Sequence, residues 1–238
     1  MGRSIFIGDV HGCARELAQL LERVGPGSDD AVYFVGDLVN RGPDSAGVLR
    51  LFREIRAQGV VGNHEVRLIE LRRAQRSGEP GLRIGKRHAA LFREFSDDDW
   101  SLLETLPLSL EVPEHSIRVV HAGVLPGLAF EAQDPWTLTH VRSVTKDGHP
   151  SAEFGASSWA AAYAGEPHLV FGHDARRGLQ LHAHATGLDT ACVYGGELTA
   201  LVVPAGTTLP IPPERRALLV SIRAEAVYYD TAGASMMP

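Results

Sequence analysis

Arg3-Ser4-Ile5-Phe6-Ile7-Gly8-Asp9-Val10-His11-Gly12 is a β-rich run that stops at a glycine and at once delivers an acid and an imidazole. The arrangement returns twice. Ala31-Val32-Tyr33-Phe34-Val35 stops at Gly36-Asp37-Leu38-Val39-Asn40-Arg41-Gly42, and Gly59-Val60-Val61 stops at Gly62-Asn63-His64-Glu65. Between the first two, Cys13, Leu17, Leu20, Leu21 and Val24 recur at helical spacing until Gly25-Pro26-Gly27 breaks the pattern. Between the second and third, Asp44 can cap a helix whose apolar face is Val48, Leu51, Phe52 and Ile55. Strand, helix, strand, helix, strand in this order predicts parallel pairing with helical crossovers.

The rest of the chain changes rhythm. Residues 117–120, 169–171, 179–182 and 198–203 read as short strands separated by turns, and 217–222 with 226–229 predicts a closing hairpin. Residues 86–106 have helical character, with Ser96 as a cap ahead of Asp97-Asp98-Asp99, and Pro204 to Pro213 reads as a loop. These segments predict an α/β fold of two mixed β-sheets packed as a sandwich and flanked by helices, in one domain over residues 1–238.

In α/β sheets, ligands bind beyond the carboxyl ends of the strands. Two later strands end in His121-Ala122-Gly123 and Gly172-His173-Asp174, so five strand ends are expected to bring Asp9, His11, Asp37, Asn63, His121 and His173 to one face. The donors are carboxylate, amide and imidazole without thiolate, a set that suits Mn, Fe or Zn better than a dedicated Ca site. Two cations about 3.5–4 Å apart could share one carboxylate. Taken singly, each residue has a plainer explanation. An Asp after a strand caps a helix, Asn63 fills a turn, and a lone His is a satisfied half-buried side chain. Five such ends in order, each at a glycine, are not explained that way.

Composition sets the remaining bounds. Of 238 residues, 44% are hydrophobic and 22% charged, as in ordinary globular proteins that form a core without staples. The net charge of −6 argues against general nucleic-acid binding. No apolar run approaches the roughly 20 residues of a membrane span, and no signal-like segment opens the chain, so a cytoplasmic location is expected. Cys13 and Cys192 sit in apolar segments without metal-site spacing and read as reduced, buried thiols. Arg67, Arg72, Arg73, Arg76, Arg83, Lys86, Arg87 and Arg93 crowd one stretch. They form either a solvated helical face interleaved with Glu70, Glu79 and Glu94, or a rim that attracts a polyanion.

Together, the Gly8–Gly12, Gly36–Gly42, Gly62–Glu65, His121–Gly123 and Gly172-His173 motifs resemble those of the phosphoprotein-phosphatase family of calcineurin-like metallophosphoesterases, over a span from about Gly8 to Val203. The resemblance implies two divalent metal ions, Mn2+ first, with Fe, Zn or Co as alternatives. Asp9, His11 and Asp37 would hold one. Asp37 would bridge to the other, completed by Asn63, His121 and His173. Arg41 would grip the phosphate, Arg142 in Leu138-Thr139-His140-Val141-Arg142 would be a second phosphate arginine, and His64 would protonate the leaving oxygen. A hydroxide bridging the metals would attack phosphorus in line, with no phosphoenzyme.

Within the family, Gly36–Ser45, Phe171–Gln180 and Gly187–Thr199 are similar to the symmetrical diadenosine tetraphosphatases and the ApaH-like phosphatases. That resemblance implies a dinucleoside polyphosphate substrate, with diadenosine tetraphosphate cleaved to two ADP, and places Tyr194 at the substrate. Two residues depart from related patterns. Serine/threonine protein phosphatases usually carry Asp at the position of Asn40; Asn40 can accept a hydrogen bond but supplies no charge, so His64 would be less basic. Glu65 is the protein-phosphatase choice where many tetraphosphatases have Asp. The alternative function is therefore a serine/threonine phosphoprotein phosphatase, and the non-enzymatic one is a sensor of nucleotides or phosphopeptides. Arg176 and Arg177, directly after His173, either line the rim and bind a polyphosphate or face solvent in a turn closed by Gly178.

Overall fold

The computed structural model describes residues 2–155 and 157–230. The first half runs β1 (Ser4–Ile7), α1 (Ala14–Val24), β2 (Ala31–Phe34), α2 (Ser45–Glu54), β3 (Gln58–Gly59) and α3 (Asn63–Arg76), followed by α4 (Lys86–Glu94) and α5 (Asp97–Thr105). The second half runs β4 (Ser109–Val112), β5 (Ile117–Val120), α6 (Pro135–His140), β6 (Ser143–Val144), β7 (Pro150–Ser151), α7 (Trp159–Ala162), β8 (His168–Phe171), β9 (Gln180–Leu181), β10 (Ala185–Gly187), β11 (Glu197–Val203), α8 (Pro212–Arg215) and β12 (Leu219–Arg223).

Two five-stranded sheets carry the fold, ordered β12-β11-β1-β2-β3 and β4-β5-β8-β10-β9, with β6-β7 as a separate ribbon. In the first sheet β1, β2 and β3 pair in parallel and β11 and β12 add antiparallel on the β1 side; in the second β5, β8 and β10 pair in parallel and β4 and β9 add antiparallel at the two edges. Alternation along the strands decides what each face buries. Phe6, Tyr33, Val35, Val119, Val170, Leu201 and Val203 meet between the sheets, where Phe6 stacks on Tyr33 at 5.2 Å. Their neighbours Ile5, Ile7, Val32 and Phe34 turn the other way, onto Leu17, Leu20, Val48 and Phe52 of α1 and α2. Leu169 and Phe171 pack on Leu138 and Trp159 beyond the second sheet.

Helix boundaries follow local chemistry. Asp44 accepts from Gly47 N at 2.7 Å and starts α2, and Gly25 ends α1 in the left-handed conformation. The helical stretch 86–106 is two helices, because Ser96 caps the second and Asp99 reaches back to it.

Several expected strands differ. The third early strand, expected at 59–61, pairs only over Gln58–Gly59, because the N–H of Val61 is taken by Pro107 O. Residues 226–229 form no strand: β12 pairs with β11 instead, and the N–H groups of Tyr228 and Tyr229 both turn to Val193 O. Residues 179–182 pair only over Gln180–Leu181. β4, β10 and the β6-β7 ribbon had no counterpart in the sequence reading. Among the described residues no helix is long and apolar enough to cross a membrane. Cys13 and Cys192 are buried and unbridged.

Because Phe6 joins the two sheets, Phe6→Ala should cost about 3–5 kcal/mol of unfolding free energy. Urea denaturation would show this as a lowered midpoint with an unchanged slope.

Candidate metal centre

The parallel strands β1, β2, β3, β5 and β8 all end at one place, and the loops beyond them interlock. His11 N donates to Asp37 O at 2.8 Å, Gly12 N to Leu38 O at 2.8 Å, and Gly42 N to His11 O at 2.8 Å. The close fit requires small residues. A Cβ on Gly36 would come within 2.8 Å of both Gly62 N and His121 Nδ1, and Gly36 also holds φ +98°. Five side-chain-bearing residues here, His11, Asp37, Asn40, Arg41 and His173, adopt positive φ. Such a conformation costs about 1–2 kcal/mol for each, and it persists because the surrounding hydrogen bonds leave no alternative.

The buried Glu65 carboxylate supplies most of those bonds. It accepts from Asp37 N at 2.8 Å, Val39 N at 3.1 Å and Gly62 N at 2.9 Å, so one side chain fixes the loops after β2 and β3 together. Asn63, His64 and Glu65 form the first turn of α3, and His64 N donates to Asp37 Oδ1 at 3.0 Å.

Two donor trios result: His11, Asp37 and His64, and Asp37, His121 and His173. Asp37 belongs to both. Its Oδ2 lies 3.4 Å from His11 Nε2 and its Oδ1 3.5 Å from His121 Nε2, so one oxygen faces each side. Asn63 Oδ1 joins the second trio, 3.1 Å from His121 Nε2 and 3.0 Å from His173 Nδ1. Asp9 joins neither trio. Both its oxygens lie against His173 N, at 3.2 and 3.0 Å.

The donor set fits divalent cations on three counts. Three of the four histidines have one ring nitrogen on a backbone carbonyl: His11 Nδ1 on Val39 O at 3.3 Å, His121 Nδ1 on Val35 O at 2.8 Å, and His173 Nε2 on His140 O at 3.0 Å. A carbonyl only accepts, so the other nitrogen of each of these rings carries its lone pair into the site, as in histidines that bind metals through one nitrogen and donate from the other. Burial, reinforced by neighbouring Arg41 or Arg142, pushes all three histidines below the usual imidazole range and keeps those lone pairs free. Conversely, the acids are held above their usual range, because burial outweighs the nearby charges of Arg41 and Arg142. Burial raises Asp37 and Asp189 to about 6, and Asp9 is raised by burial and by the charges of Asp189 and Asp37.

His11, Asp37, Asn63, His64 and His173 line a cavity of about 680 Å³ together with Arg41, Arg142, Phe154, Arg176, Asp189 and Tyr194; Asp9 and His121 are not part of its wall. Arg41 Nη1 lies 3.0 Å from His11 Nε2, and its guanidinium sits 5.5 Å from the Tyr194 ring and 5.4 Å from the Tyr229 ring. Arg142 reaches the other trio, donating to His173 O at 3.4 Å and to Ala152 O at 3.1 Å. Of the two expected rim arginines only Arg176 lines the cavity. Arg177 is spent on Asp174 Oδ2 at 2.5 Å and Gly155 O at 2.9 Å. None of the eight basic residues between Arg67 and Arg93 lines the cavity. Seven are exposed and Arg72 is buried over the Trp100 ring at 4.1 Å.

Asn40 behaves differently from expectation. Its Oδ1 accepts from Arg41 N at 2.8 Å, which turns Nδ2 towards His64 Nδ1 at 2.9 Å. Asn40 therefore donates to His64 instead of accepting from it. This assigns the proton of neutral His64 to Nε2, and burial with nearby His11 and Arg41 pushes its pKa well down.

The sequence reading missed Asp189, buried against Asp9. β10 ends in Gly187 and Asp189 follows one residue later, a looser version of the Gly8-Asp9 step after β1. A third cluster, Cys13, Glu16 and Cys192, is brought together by the fold without any sequence spacing to announce it; it lies outside the cavity lining.

Comparison with known proteins agrees with this geometry. The family model for calcineurin-like phosphoesterases matches residues 2–203. A bis(5'-nucleosyl)-tetraphosphatase of Halalkalibacterium halodurans, named asymmetrical, is 30% identical over 87% of this chain and 92% of its own. A symmetrical bis(5'-nucleosyl)-tetraphosphatase of Burkholderia mallei is 30% identical over 83% of this chain and 88% of its own. A crystal structure provisionally assigned as a diadenosine tetraphosphatase superposes with a TM-score of 0.78 at 35% identity, covering 94% of each chain.

Glu65→Gln would set an amide N–H against one of three backbone donors. It should lower stability by about 1–3 kcal/mol, measured in chelator by urea denaturation, and weaken Mn2+ binding in calorimetric titration. Unchanged Mn2+ affinity would contradict the role given to Glu65.

Proposed function

This chain belongs to the calcineurin-like phosphoesterase family, and we propose that it hydrolyses dinucleoside tetraphosphates, cutting diadenosine tetraphosphate symmetrically into two ADP. One observation carries the reading. Two donor trios share the buried Asp37 carboxylate, which lines a cavity walled by Arg41, Arg142 and Arg176.

His11 and Asp37, with Asp9 as the family resemblance implies, would hold one divalent cation, and Asp37, Asn63, His121 and His173 the other; His64, with Nδ1 accepting from Asn40 and the proton on Nε2, has no lone pair to offer. The oxygen and nitrogen donors suit Mn2+. Bound there, the pair would neutralise phosphoryl oxygens and acidify the attacking water. The chain's own residues do the rest. Arg41 and Arg142 stand one beside each trio, and their planar forks match phosphate oxygens. Arg41 Nη1, 3.0 Å from His11 Nε2, lies beside that donor and would turn its fork to the phosphate when substrate is bound. Arg176 adds charge where a tetraphosphate extends beyond the reacting phosphorus, and Tyr194 holds the Arg41 guanidinium at the wall.

The Asn40–His64 pair bears on substrate class. A neutral imidazole with Nε2–H is a hydrogen-bond donor and a poor acid. ADP departs as a stabilised phosphate anion and needs little more than a hydrogen bond, whereas a serine alkoxide needs a full proton. The site therefore favours an anhydride over a phosphoserine ester, so the phosphoprotein alternative is not favoured. The position of the cut has a second reading, since the Halalkalibacterium halodurans relative is named for asymmetrical cleavage at the same 30% identity.

Three outcomes test this. With Mn2+ and diadenosine tetraphosphate, chromatography should show ADP alone; ATP with AMP would establish the asymmetric cut. Asp37→Asn should abolish most turnover while the circular dichroism of the fold persists, because an amide cannot hold two dications together. His64→Ala should lower kcat on alkyl phosphates, which need a proton, by about 10²-fold, the low end of general-acid catalysis, because a neutral imidazole is a weak proton donor. On the dinucleotide it should lower kcat far less. An equal loss on both would assign His64 a structural role.

A further inference from the structure

Phe154 is a large apolar side chain left 40% exposed, and it stands in the wall of the cavity that holds the donor trios. Isolated exposed phenylalanines are ordinary. This one differs because the backbone on either side of it is pinned while its ring, flanked by arginines, stays partly open to solvent. Arg142 Nη1 donates to Ala152 O at 3.1 Å, Ser143 Oγ to Glu153 O at 2.8 Å, and Arg177 Nη2 to Gly155 O at 2.9 Å. Three guanidinium carbons surround the ring, Arg176 at 4.6 Å, Arg177 at 5.0 Å and Arg142 at 6.0 Å.

A second aromatic–guanidinium cluster, Tyr194 and Tyr229 with Arg41, adjoins the His11 side of the site. The Phe154 cluster adjoins the His173 side through Arg142. Each donor trio therefore has its own group of π-faces and fixed cations. A compact phosphomonoester could use neither beyond the two phosphate arginines. A molecule with planar bases at both ends of a polyphosphate could use both.

We propose that Phe154 is the stacking platform for one nucleobase of the substrate, with Arg176 beside it taking the adjoining phosphate. The proposal rests on the dinucleotide reading above and adds the residue that would recognise a base. Stacking is sequence-tolerant, since every base offers a π-face, so this platform selects a nucleoside end without selecting adenine.

Three substrates separate the contributions: diadenosine tetraphosphate, inorganic tetraphosphate, which has the anionic chain without bases, and p-nitrophenyl phosphate. Phe154→Ala should lower kcat/KM on the dinucleotide about tenfold through KM. Its loss on inorganic tetraphosphate should be at least fivefold smaller. Phe154→Trp should restore the dinucleotide value. Arg176→Glu should weaken the dinucleotide and inorganic tetraphosphate alike. Equal losses of Phe154→Ala on all three substrates would overturn the platform, reducing Phe154 to a prop for the arginines. A wild-type enzyme that cleaves p-nitrophenyl phosphate but not the dinucleotide would overturn the substrate reading itself, a result distinguishable because it needs no variant.

Discussion

The Glu65 carboxylate, buried at the start of α3, accepts hydrogen bonds from the backbone of Asp37, Val39 and Gly62. Through them it holds Asp37 at φ +49°, in a conformation the residue would not otherwise keep. Only in that conformation does the carboxylate present one oxygen to His11 and the other to His121. The two sheets serve the same end. His121 leaves the second sheet and hydrogen-bonds Val35 O of the loop that follows β2 in the first, so the packing of Phe6, Tyr33 and Val170 sets the distance across which the ligands meet.

Electrostatics then determine what the assembled loops can hold. Three acids lie close together under burial that disfavours their charge, beside histidines kept neutral by the same burial. Such a site is poorly balanced by protein groups alone. Divalent cations correct both imbalances at once, neutralising carboxylates and taking up imidazole lone pairs. Arg41 and Arg142 stand outside the donors, close enough to meet a phosphate and too few to replace the cations.

Much of this was legible in the sequence because one local rule generates it. A β-branched run ending in glycine and then an acid or imidazole marks a strand end, and parallel strands point those ends the same way. Strand ends of this kind pointed to Asp9, His11, Asp37, Asn63, His121 and His173, of which all but Asp9 meet around Asp37, and the early helices followed from Asp44 and the Leu17, Leu20, Leu21 face. The rule failed where pairing depends on distant chain. Ala185-Thr186-Gly187 has no strand composition of its own and becomes β10 through β8, so Asp189 after it went unnoticed. The turn of Tyr228 and Tyr229 onto Val193 O is equally non-local. Asn40 shows a finer limit. Its residue type allowed either hydrogen-bond sense towards His64, and only the claim of Arg41 N on Oδ1 decides it.

The account turns on one carboxylate serving two cations. The most direct measurement is an anomalous-difference map of crystals grown with Mn2+. It should show two peaks about 3.5–4 Å apart, one on each side of Asp37, the first within bonding distance of His11 Nε2 and the second of His121 Nε2 and Asn63 Oδ1. A single peak, or two peaks that do not share Asp37, would contradict it.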